Sequence, residues 1–314
     1  MLVIDAKAVD AATDWHRIVA AQRAGHLLGK PQLQDMLLQQ PPNGLFVRAA
    51  WIEGLGAAVK GVTVFPGNVN RVPYVASING SVLLFDRETG LVNAAIDGAA
   101  VTRWKTAGDS ALGSDLLSCK DSRSHLMVGA GVMSEQLIRA HVAVRPSLER
   151  LTIWNRTRER AEAVAGRLGD LGRPVQVVTD LEPAVREADI ISTATMTHEP
   201  LVKGAWLKEG THLDLIGAYK MDMRETDDDS MRRGRVFVDY RGTTIGHIGE
   251  ITTPIRTGVI REEDVLGDLY DLVPGAPGRL SDKDITVYKN GGGAHLDLMT
   301  SLAILEAVKA KGAA

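Results

Sequence analysis

Two glycines and a serine follow a short apolar run in the segment HLMVGAGVMSEQL. Gly129, Gly131 and Ser134 have the spacing GxGxxS between a predicted strand and a predicted amphipathic helix. In such a loop the first glycine permits a tight turn, the second lets the backbone approach a pyrophosphate, and a small third residue keeps helix and strand close. The N–H groups at the helix N-terminus add positive potential. The spacing therefore predicts a dinucleotide site, with an ordinary glycine-rich turn as the alternative.

The next predicted strand, in LTIWNRTRERA, ends where the adenosine ribose of a dinucleotide would lie. A site that selects NAD usually carries Asp or Glu there, because a carboxylate accepts hydrogen bonds from the ribose hydroxyls. This chain has Asn155, Arg156 and Thr157 instead. Arginine and a hydroxyl suit a 2′-phosphate, so the sequence favours NADPH over NADH. The alternative is that the arginines which follow pair with glutamates on a solvated helix face.

Further residues predicted to line the cofactor lie in the glycine loop or where later strands end. Small and hydroxyl-bearing side chains at such strand ends face the crevice in which a parallel sheet binds its ligand. These residues are Ala130, Val132, Met133, Thr193, Ala194, Thr195 and Gly217.

Composition limits the class of protein. With 314 residues, of which 45% are hydrophobic and 24% charged, the chain can form one large or two ordinary folded domains. A net charge of −3 gives no overall field that favours nucleic acid or an anionic membrane. The single Cys119 excludes an internal disulfide and fits the reducing cytoplasm. No signal peptide, and no membrane-spanning run of about 18 apolar residues, is predicted.

Metal binding has little support in the sequence. The eight histidines form no HxxxH pair, a spacing that would place two ligands on one helix face. The acidic segment ETDDDS resembles a solvated helix start rather than a ligand set. We therefore predict no metal site.

The elements that must position these residues change character along the chain. A first helix is predicted from Asp10 to about Leu28, and a second over about 103–119, with Lys105 and Thr106 at its start. Beyond it, short apolar strands alternate with helices, which predicts a parallel, doubly wound α/β sheet, and a last helix covers about 293–311. Between the first two helices, three β-branched and aromatic segments predict an antiparallel sheet: GLFVRAAWI, AAVKGVTVFPGN and YVASINGSVLLFD.

Taken in order along the chain, seven segments resemble the ornithine cyclodeaminase/mu-crystallin family. The resemblance implies a dimer with a Rossmann domain over 119–288, inserted into an α+β substrate-binding and dimerisation domain made of 1–118 and 289–314. The family includes cyclodeaminases, alanine dehydrogenases, imino-acid reductases and a thyroid-hormone-binding crystallin, so membership names no single reaction. The segments are KGVTVFPGN, SVLLFDRETG, DGAAVTRWKTAGDSAL, VGAGVMSEQ, IWNRTRERA, ADIISTATMTHEPLV and ITVYKNGGGAHLD.

Two lysines carry the catalytic part of the resemblance. Lys60 matches the active-site lysine of the family, which favours an inward ammonium group over a solvated one at a strand edge. Such a group could bind the substrate carboxylate and hold the proton of an imine. Lys105 stands where the family usually has an arginine, so the resemblance implies a carboxylate contact through a point charge instead of a bidentate fork. Thr106, at the predicted helix start, is expected to help hold cofactor phosphate.

Several other positions depart from the family pattern. Gln32 stands where many members carry a substrate-binding arginine, and Arg48 is the candidate replacement, with an exposed surface arginine as the alternative. Asn79 is either a substrate contact or a turn-stabilising residue. Tyr219 replaces the aspartate of the cyclodeaminases, which disfavours deamination with ring closure. His295 is a candidate proton donor, or a histidine packed at a domain or dimer seam.

These observations predict an NAD(P)H-dependent reductase that converts an α-imino acid into the L-α-amino acid. A cyclic imine such as pyrroline-2-carboxylate and the open-chain iminosuccinate are both open, because three cations at positions 60, 105 and 48 could hold two carboxylates. The alternatives are an ornithine cyclodeaminase or alanine dehydrogenase, and a non-catalytic, NADPH-bound ligand-binding protein of the crystallin type. The expected partners are a small-molecule substrate and a second copy of the chain, with neither nucleic acid nor membrane.

Overall fold

The β-branched segments of the first hundred residues form one six-stranded sheet in the computed structural model, which describes residues 1–312. Its order is β1-β6-β5-β4-β3-β2, and all neighbours pair antiparallel except β1 and β6. The predicted antiparallel sheet therefore exists, with three strands that the sequence did not predict: β1, β2 and β6. The strands are β1 (Leu2–Ile4), β2 (Gln32–Gln40), β3 (Asn43–Ile52), β4 (Gly56–Val64), β5 (Ile78–Phe85) and β6 (Val92–Asp97).

The helices that pack on this sheet are α1 (Ala6–Ala12), α2 (Trp15–His26) and α11 (Ala294–Gly312). The single helix predicted from Asp10 to Leu28 is wrong, because the backbone is extended at Thr13 and Asp14. The side chain of Asp14 accepts a hydrogen bond from the Arg17 N–H and so begins a new helix as its N-cap.

Helix α3 (Gly98–Leu117) begins five residues before the predicted start at 103. Asp97 accepts a hydrogen bond from the Ala100 N–H at 2.7 Å, which satisfies a donor of the first turn. Lys105 and Thr106 are therefore the eighth and ninth residues of the helix. The expectation that Thr106 lies at a helix N-terminus is wrong, since only the first turn presents unpaired N–H groups to an anion.

A second sheet of eight parallel strands follows α3, in the order β13-β12-β14-β11-β10-β7-β8-β9. The strand order reverses between β7 and β10, and such a switch point is where doubly wound sheets bind ligands. The predicted α/β fold, with a Rossmann-type sheet and a separate antiparallel sheet, is confirmed. The strands are β7 (Ser124–Val128), β8 (Arg150–Trp154), β9 (Val175–Val178), β10 (Ile190–Thr193), β11 (His212–Leu215), β12 (Arg235–Val238), β13 (Val265–Gly267) and β14 (Thr286–Lys289).

The helices around this second sheet are short, and none within residues 1–312 has the length and apolar character needed to cross a bilayer. The central strands β7, β10, β11 and β14 are buried along their whole length, as expected for a parallel sheet covered on both faces. The helices are α4 (Ser134–Val144), α5 (Arg158–Gly166), α6 (Leu181–Glu187), α7 (Asp228–Arg233), α8 (Arg241–Thr244), α9 (Gly249–Arg256) and α10 (Leu269–Leu272).

The chain divides into two compact units. The first comprises Met1–Thr106 and the chain from Gly293 onward, and the second comprises Ala107–Gly292. The predicted division, with ends at 118 and 289, differs most at its first boundary, which lies inside α3 rather than after it.

Candidate active site

A lysine on the first sheet is hydrogen bonded to a carboxylate on the last helix. Lys60, in β4, is 5% exposed, and its Nζ donates to Asp297 Oδ1 of α11 at 2.9 Å. Nζ also donates to Thr102 Oγ1 of α3, whose hydroxyl donates in turn to the Gly98 carbonyl at 2.7 Å. Within residues 1–312, these contacts engage two of the three ammonium protons, which leaves one for a ligand.

Lys105 approaches the same carboxylate from α3. Its Nζ lies 3.9 Å from Asp297 Oδ2, and the residue is also 5% exposed. Thr102 and Lys105 share one side of α3 because residues three apart in a helix are neighbours. We call Lys60, Lys105 and Asp297 the lysine–aspartate cluster. The two predicted catalytic lysines are thus brought together, by an aspartate that the sequence analysis missed.

The cluster carries one net positive charge when both ammonium groups and the carboxylate are ionised. Burial alone would raise the pKa of Asp297, but the charges of Lys105 and Lys60 and the hydrogen bond from Lys60 outweigh burial and lower the pKa. Asp297 is therefore a carboxylate at neutral pH, and it offsets one of the two lysines.

Arg48, the proposed third cation, already has a carboxylate partner. It lies opposite Lys60 in the β3–β4 register, but its Nε and Nη2 donate to the two oxygens of Asp35 in β2, at 3.2 and 2.8 Å. The pair has bidentate geometry. Arg48 is therefore near the cluster in register while its charge is largely offset by Asp35.

The other two candidates of the first unit are His295 and Asn79, and each has a contact outside the lysine–aspartate cluster. His295 is fully buried at the start of α11, and its ring packs edge-on against His26 with centroids 5.7 Å apart. Burial lowers its pKa well below the usual value, so the imidazole is neutral near pH 7. Asn79 is exposed in β5 and donates to the Ala76 carbonyl at 2.7 Å, which matches the turn-stabilising alternative.

In the second unit, the glycine loop after β7 has the geometry that a pyrophosphate requires. Gly129 has a φ of +116°, and a Cβ at this position would lie 2.7 Å from the Ala194 carbonyl oxygen. The buried Ser134 donates from Oγ to the Gly129 carbonyl at 3.0 Å. A Cβ on Gly131 would meet no atom within 4 Å, and Val132 is 84% exposed. The loop is therefore open on the side from which phosphate would approach, directly before α4.

The ends of β10 and β11 are joined by a buried glutamate. Thr195 donates to Glu225 Oε1 from both its N–H and its hydroxyl, at 2.7 Å each, and the Gly217 N–H donates to Oε2 at 2.6 Å. Gly217 is required by close packing, since a Cβ would lie 2.0 Å from the Thr195 carbonyl oxygen. We call Thr195, Gly217 and Glu225 the glutamate rim.

Two further cofactor candidates lie at the end of β10, beside the glycine loop. Thr193 is buried, and the Ala194 N–H donates to the Val128 carbonyl of β7 at 2.9 Å, so this strand end is fixed next to the loop. Tyr219, the candidate substrate contact of this unit, is 52% exposed, with the Lys220 ammonium 5.5 Å from its ring centroid.

A buried charge network supports the glutamate rim. The Glu225 N–H donates to Glu250 Oε2 at 2.6 Å, and burial together with the charge of Glu225 raises the pKa of Glu250 to about 7. Lys289, also fully buried, donates from Nζ to the Leu215 carbonyl at 3.0 Å, and burial lowers its pKa. This network was not predicted from the sequence, because Glu225 belongs to the acidic segment interpreted as solvated.

At the end of β8, the polar residues predicted to contact the ribose are accessible. Asn155 donates from Nδ2 to the Thr157 carbonyl at 2.7 Å, which shapes the turn before α5. Arg156 is exposed and makes no hydrogen bond or ion pair within residues 1–312. Arg158, by contrast, pairs with Glu162 at 2.7 Å along the helix, as the alternative interpretation required. Arg156, in the turn between β8 and α5, can therefore receive an anion.

Comparison with known proteins identifies the family of this chain. The family model described as "Ornithine cyclodeaminase/mu-crystallin family" matches residues 49–312. A Delta(1)-pyrroline-2-carboxylate reductase of Paracoccus denitrificans is 49% identical over 286 residues, which cover 91% of this chain and 90% of that protein.

Two solved structures share the whole fold. The Delta(1)-pyrroline-2-carboxylate reductase of Thermococcus litoralis, in complex with NADH and L-proline, has a TM-score of 0.91 and 26% identity, covering 99% of this chain and 98% of that one. The iminosuccinate reductase of Paracoccus denitrificans, in complex with NAD+, has a TM-score of 0.90 and 27% identity, covering 99% and 97%. The resemblance drawn from the seven segments is confirmed, and this chain belongs to the ornithine cyclodeaminase/mu-crystallin family.

Proposed function

We propose that the protein reduces a cyclic α-imino acid with one carboxylate, of the Δ1-pyrroline-2-carboxylate type, to the L-amino acid. The observation that carries this proposal is the lysine–aspartate cluster, in which two ammonium groups share one buried carboxylate. One net positive charge suits one substrate carboxylate. A dicarboxylate such as iminosuccinate would require a further cation for its second carboxylate, and Arg48 is paired with Asp35.

The relatives of this chain show its broader class of enzyme. The chain is an NAD(P)-dependent oxidoreductase that acts on a C=N bond, in line with its relatives. The relative with the higher identity is named for pyrroline-2-carboxylate, whereas the iminosuccinate reductase is 27% identical. That difference supports the cyclic substrate.

In the proposed reaction the first unit binds and protonates the substrate. Lys105 binds its carboxylate, and Lys60 Nζ holds a proton that passes to the imine nitrogen. Thr102 and Asp297 fix the position of that ammonium group. The product contains one new C–H and one new N–H bond, and the C=N double bond becomes a C–N single bond.

The second unit holds the cofactor. When bound, NAD(P)H supplies the hydride for the imine carbon and becomes NAD(P)+. Backbone N–H groups of 129–133 suit the pyrophosphate, and the glutamate rim keeps the ends of β10 and β11 in place. Arg156 supports a preference for NADPH, because its guanidinium can bind a 2′-phosphate.

A homodimer is the assembly that we propose. The first sheet exposes apolar side chains on β2 and β3, among them Met36, Leu37, Leu38 and Trp51. Exposed apolar surface of this kind marks interaction sites, and a related archaeal alanine dehydrogenase is described as a dimer.

The test is coenzyme oxidation, followed at the reduced-nicotinamide absorbance band at about 340 nm. Purified protein receives either pyrroline-2-carboxylate, or oxaloacetate with ammonia to generate iminosuccinate, with NADPH and NADH in parallel. We expect fast oxidation with the cyclic imine and slow oxidation with iminosuccinate. The reverse result would assign a dicarboxylate imine reductase. No oxidation with either substrate would favour the binding-protein alternative.

A further inference from the structure

We propose that Asp297 is a positioning and specificity residue, which orients Lys60 and limits the lysine–aspartate cluster to substrates with one carboxylate. This inference rests on the proposed function and deepens it, because it names the group that selects the substrate class. Asp297 does not need to touch the substrate to act in this way.

The orientation of Lys60 depends on Asp297. The ammonium group has two partners within the described chain, the Asp297 carboxylate at 2.9 Å and the Thr102 hydroxyl. Asp297 is 1% exposed and lies between the fully buried Leu296 and Leu298, so packing fixes its backbone. Removing the carboxylate would leave Thr102 alone to orient a flexible four-carbon side chain.

The charge of the cluster depends on Asp297 as well. The groups of the first unit that act on this carboxylate electrostatically are Lys105, Lys60 and Arg48. Arg48 has its own partner in Asp35. The two histidines nearby, His26 and His295, are neutral near pH 7, since burial lowers the pKa of His26 to about 4 and that of His295 well below its usual value.

Without Asp297 the cluster would therefore change from one net positive charge to two. Charges act more strongly in a buried site than in water, so this change should alter which anions bind there. The loss of one negative charge would favour a dianionic substrate relative to a monoanionic one.

The test compares Asp297→Asn with the wild-type enzyme on pyrroline-2-carboxylate and on iminosuccinate. The asparagine keeps the size and removes the charge. We expect kcat for pyrroline-2-carboxylate to fall at least about tenfold, and the ratio of kcat/KM for iminosuccinate to that for pyrroline-2-carboxylate to rise at least about tenfold. An unchanged ratio, or loss of both activities with coenzyme binding intact, would overturn the specificity role.

Asp297→Glu separates charge from position and serves if the asparagine variant does not fold. The longer side chain keeps the charge but moves the carboxylate, so kcat should fall about tenfold with the substrate ratio within about threefold of wild type. A wild-type kcat would overturn the positioning role, and a shifted ratio would overturn the charge argument.

The matched control is Asp10→Asn. Asp10, in α1, is exposed and lies outside the cluster, and its carboxylate pairs with Arg103 of α3 at 3.1 Å. Loss of this carboxylate should leave the substrate ratio unchanged. If wild type reduces neither imine, the proposed function fails. If wild type reduces pyrroline-2-carboxylate and Asp297→Asn keeps the wild-type ratio, only this inference fails.

Discussion

The lysine–aspartate cluster and the glutamate rim each contain one fully buried carboxylate, but the two carboxylates have different partners. Asp297 faces two side-chain ammonium groups, at 2.9 and 3.9 Å. Glu225 accepts from the N–H groups of Thr195 and Gly217 and from one hydroxyl. The first carboxylate sets the charge that a ligand meets, whereas the second holds backbone segments in place. A charge change should therefore alter substrate choice in the cluster and cofactor affinity at the rim.

The largest effect is expected from Lys60→Met. The methionine keeps most of the side-chain volume and removes the ammonium proton, so turnover with pyrroline-2-carboxylate should fall by about 10³-fold or more. NAD(P)H binding, measured by coenzyme fluorescence, should stay within about twofold of wild type. Lys7→Met, at an exposed position of α1, is the control for loss of a lysine. Loss of coenzyme binding with an intact fold would make Lys60 a phosphate contact instead.

A smaller effect is expected from Glu225→Gln. The amide nitrogen cannot accept a hydrogen bond, so at least one of the Thr195 and Gly217 N–H groups loses its partner. The Kd for NAD(P)H should rise about tenfold, and both imine substrates should be affected equally. Asp229→Asn, an exposed neighbour, is the control. A changed ratio of kcat/KM for the two imines would show that the glutamate rim also affects substrate choice, contrary to the comparison drawn above.

Arg156→Ala should act on coenzyme choice alone. Loss of the guanidinium should raise the apparent KM for NADPH about tenfold and leave that for NADH within about twofold. Initial rates with each coenzyme, at a saturating concentration of the imine, give the two apparent KM values. Equal changes for both coenzymes would contradict the 2′-phosphate contact.

The last prediction concerns stability against pH, not activity. Burial raises the pKa of Asp214, in β11, to about 7. The folded protein therefore keeps this proton up to about pH 7, while the unfolded chain releases it near pH 4, so the contribution of Asp214 to the free energy of unfolding is lost as pH rises between these values. Measured by urea unfolding, the free energy of unfolding of wild type relative to Asp214→Asn should fall by up to about 1.4 kcal/mol per pH unit between about pH 4 and 7.

The control for the sign is Asp170→Asn. The hydrogen bond from Arg139 lowers the pKa of Asp170, so stability relative to this variant should grow, not fall, as pH rises through the range below the normal carboxyl pKa. A falling difference for both variants would contradict the assignment of the slope to the buried carboxyl group.

Local sequence patterns predicted the glycine loop and the two lysines. Gly129 and Gly131 could be recognised because a dinucleotide loop requires glycine at fixed spacing, and the positive φ of Gly129 agrees with that requirement. Lys60 was found through the order of the family segments. The informative residues of the loop lie within a few positions of one another, and the family segments keep their order along the chain.

Long-range partners could not be predicted in this way. Asp297 is 237 residues from Lys60, and no spacing relates them. His295, two positions earlier, was the stronger candidate by residue type, because histidine more often titrates near neutral pH. Glu225 stands beside Asp227, Asp228 and Asp229, which are half-buried or exposed, and no local pattern distinguishes it from them. The early start of α3 had a readable signal, since Asp97 before Gly98 is a favourable N-cap.

The first unit contains the beginning of the chain and its last helix, and this arrangement affects biosynthesis. Leu296, Leu298 and Ile304 of α11 share a core cluster with Val82 and Leu84 of β5. Because a ribosome releases the chain from its N-terminus, the first unit must wait for α11, whereas all residues of the second unit emerge earlier. We therefore expect the cofactor-binding unit to fold first during translation. The core of the first unit is then completed only when α11 has been made.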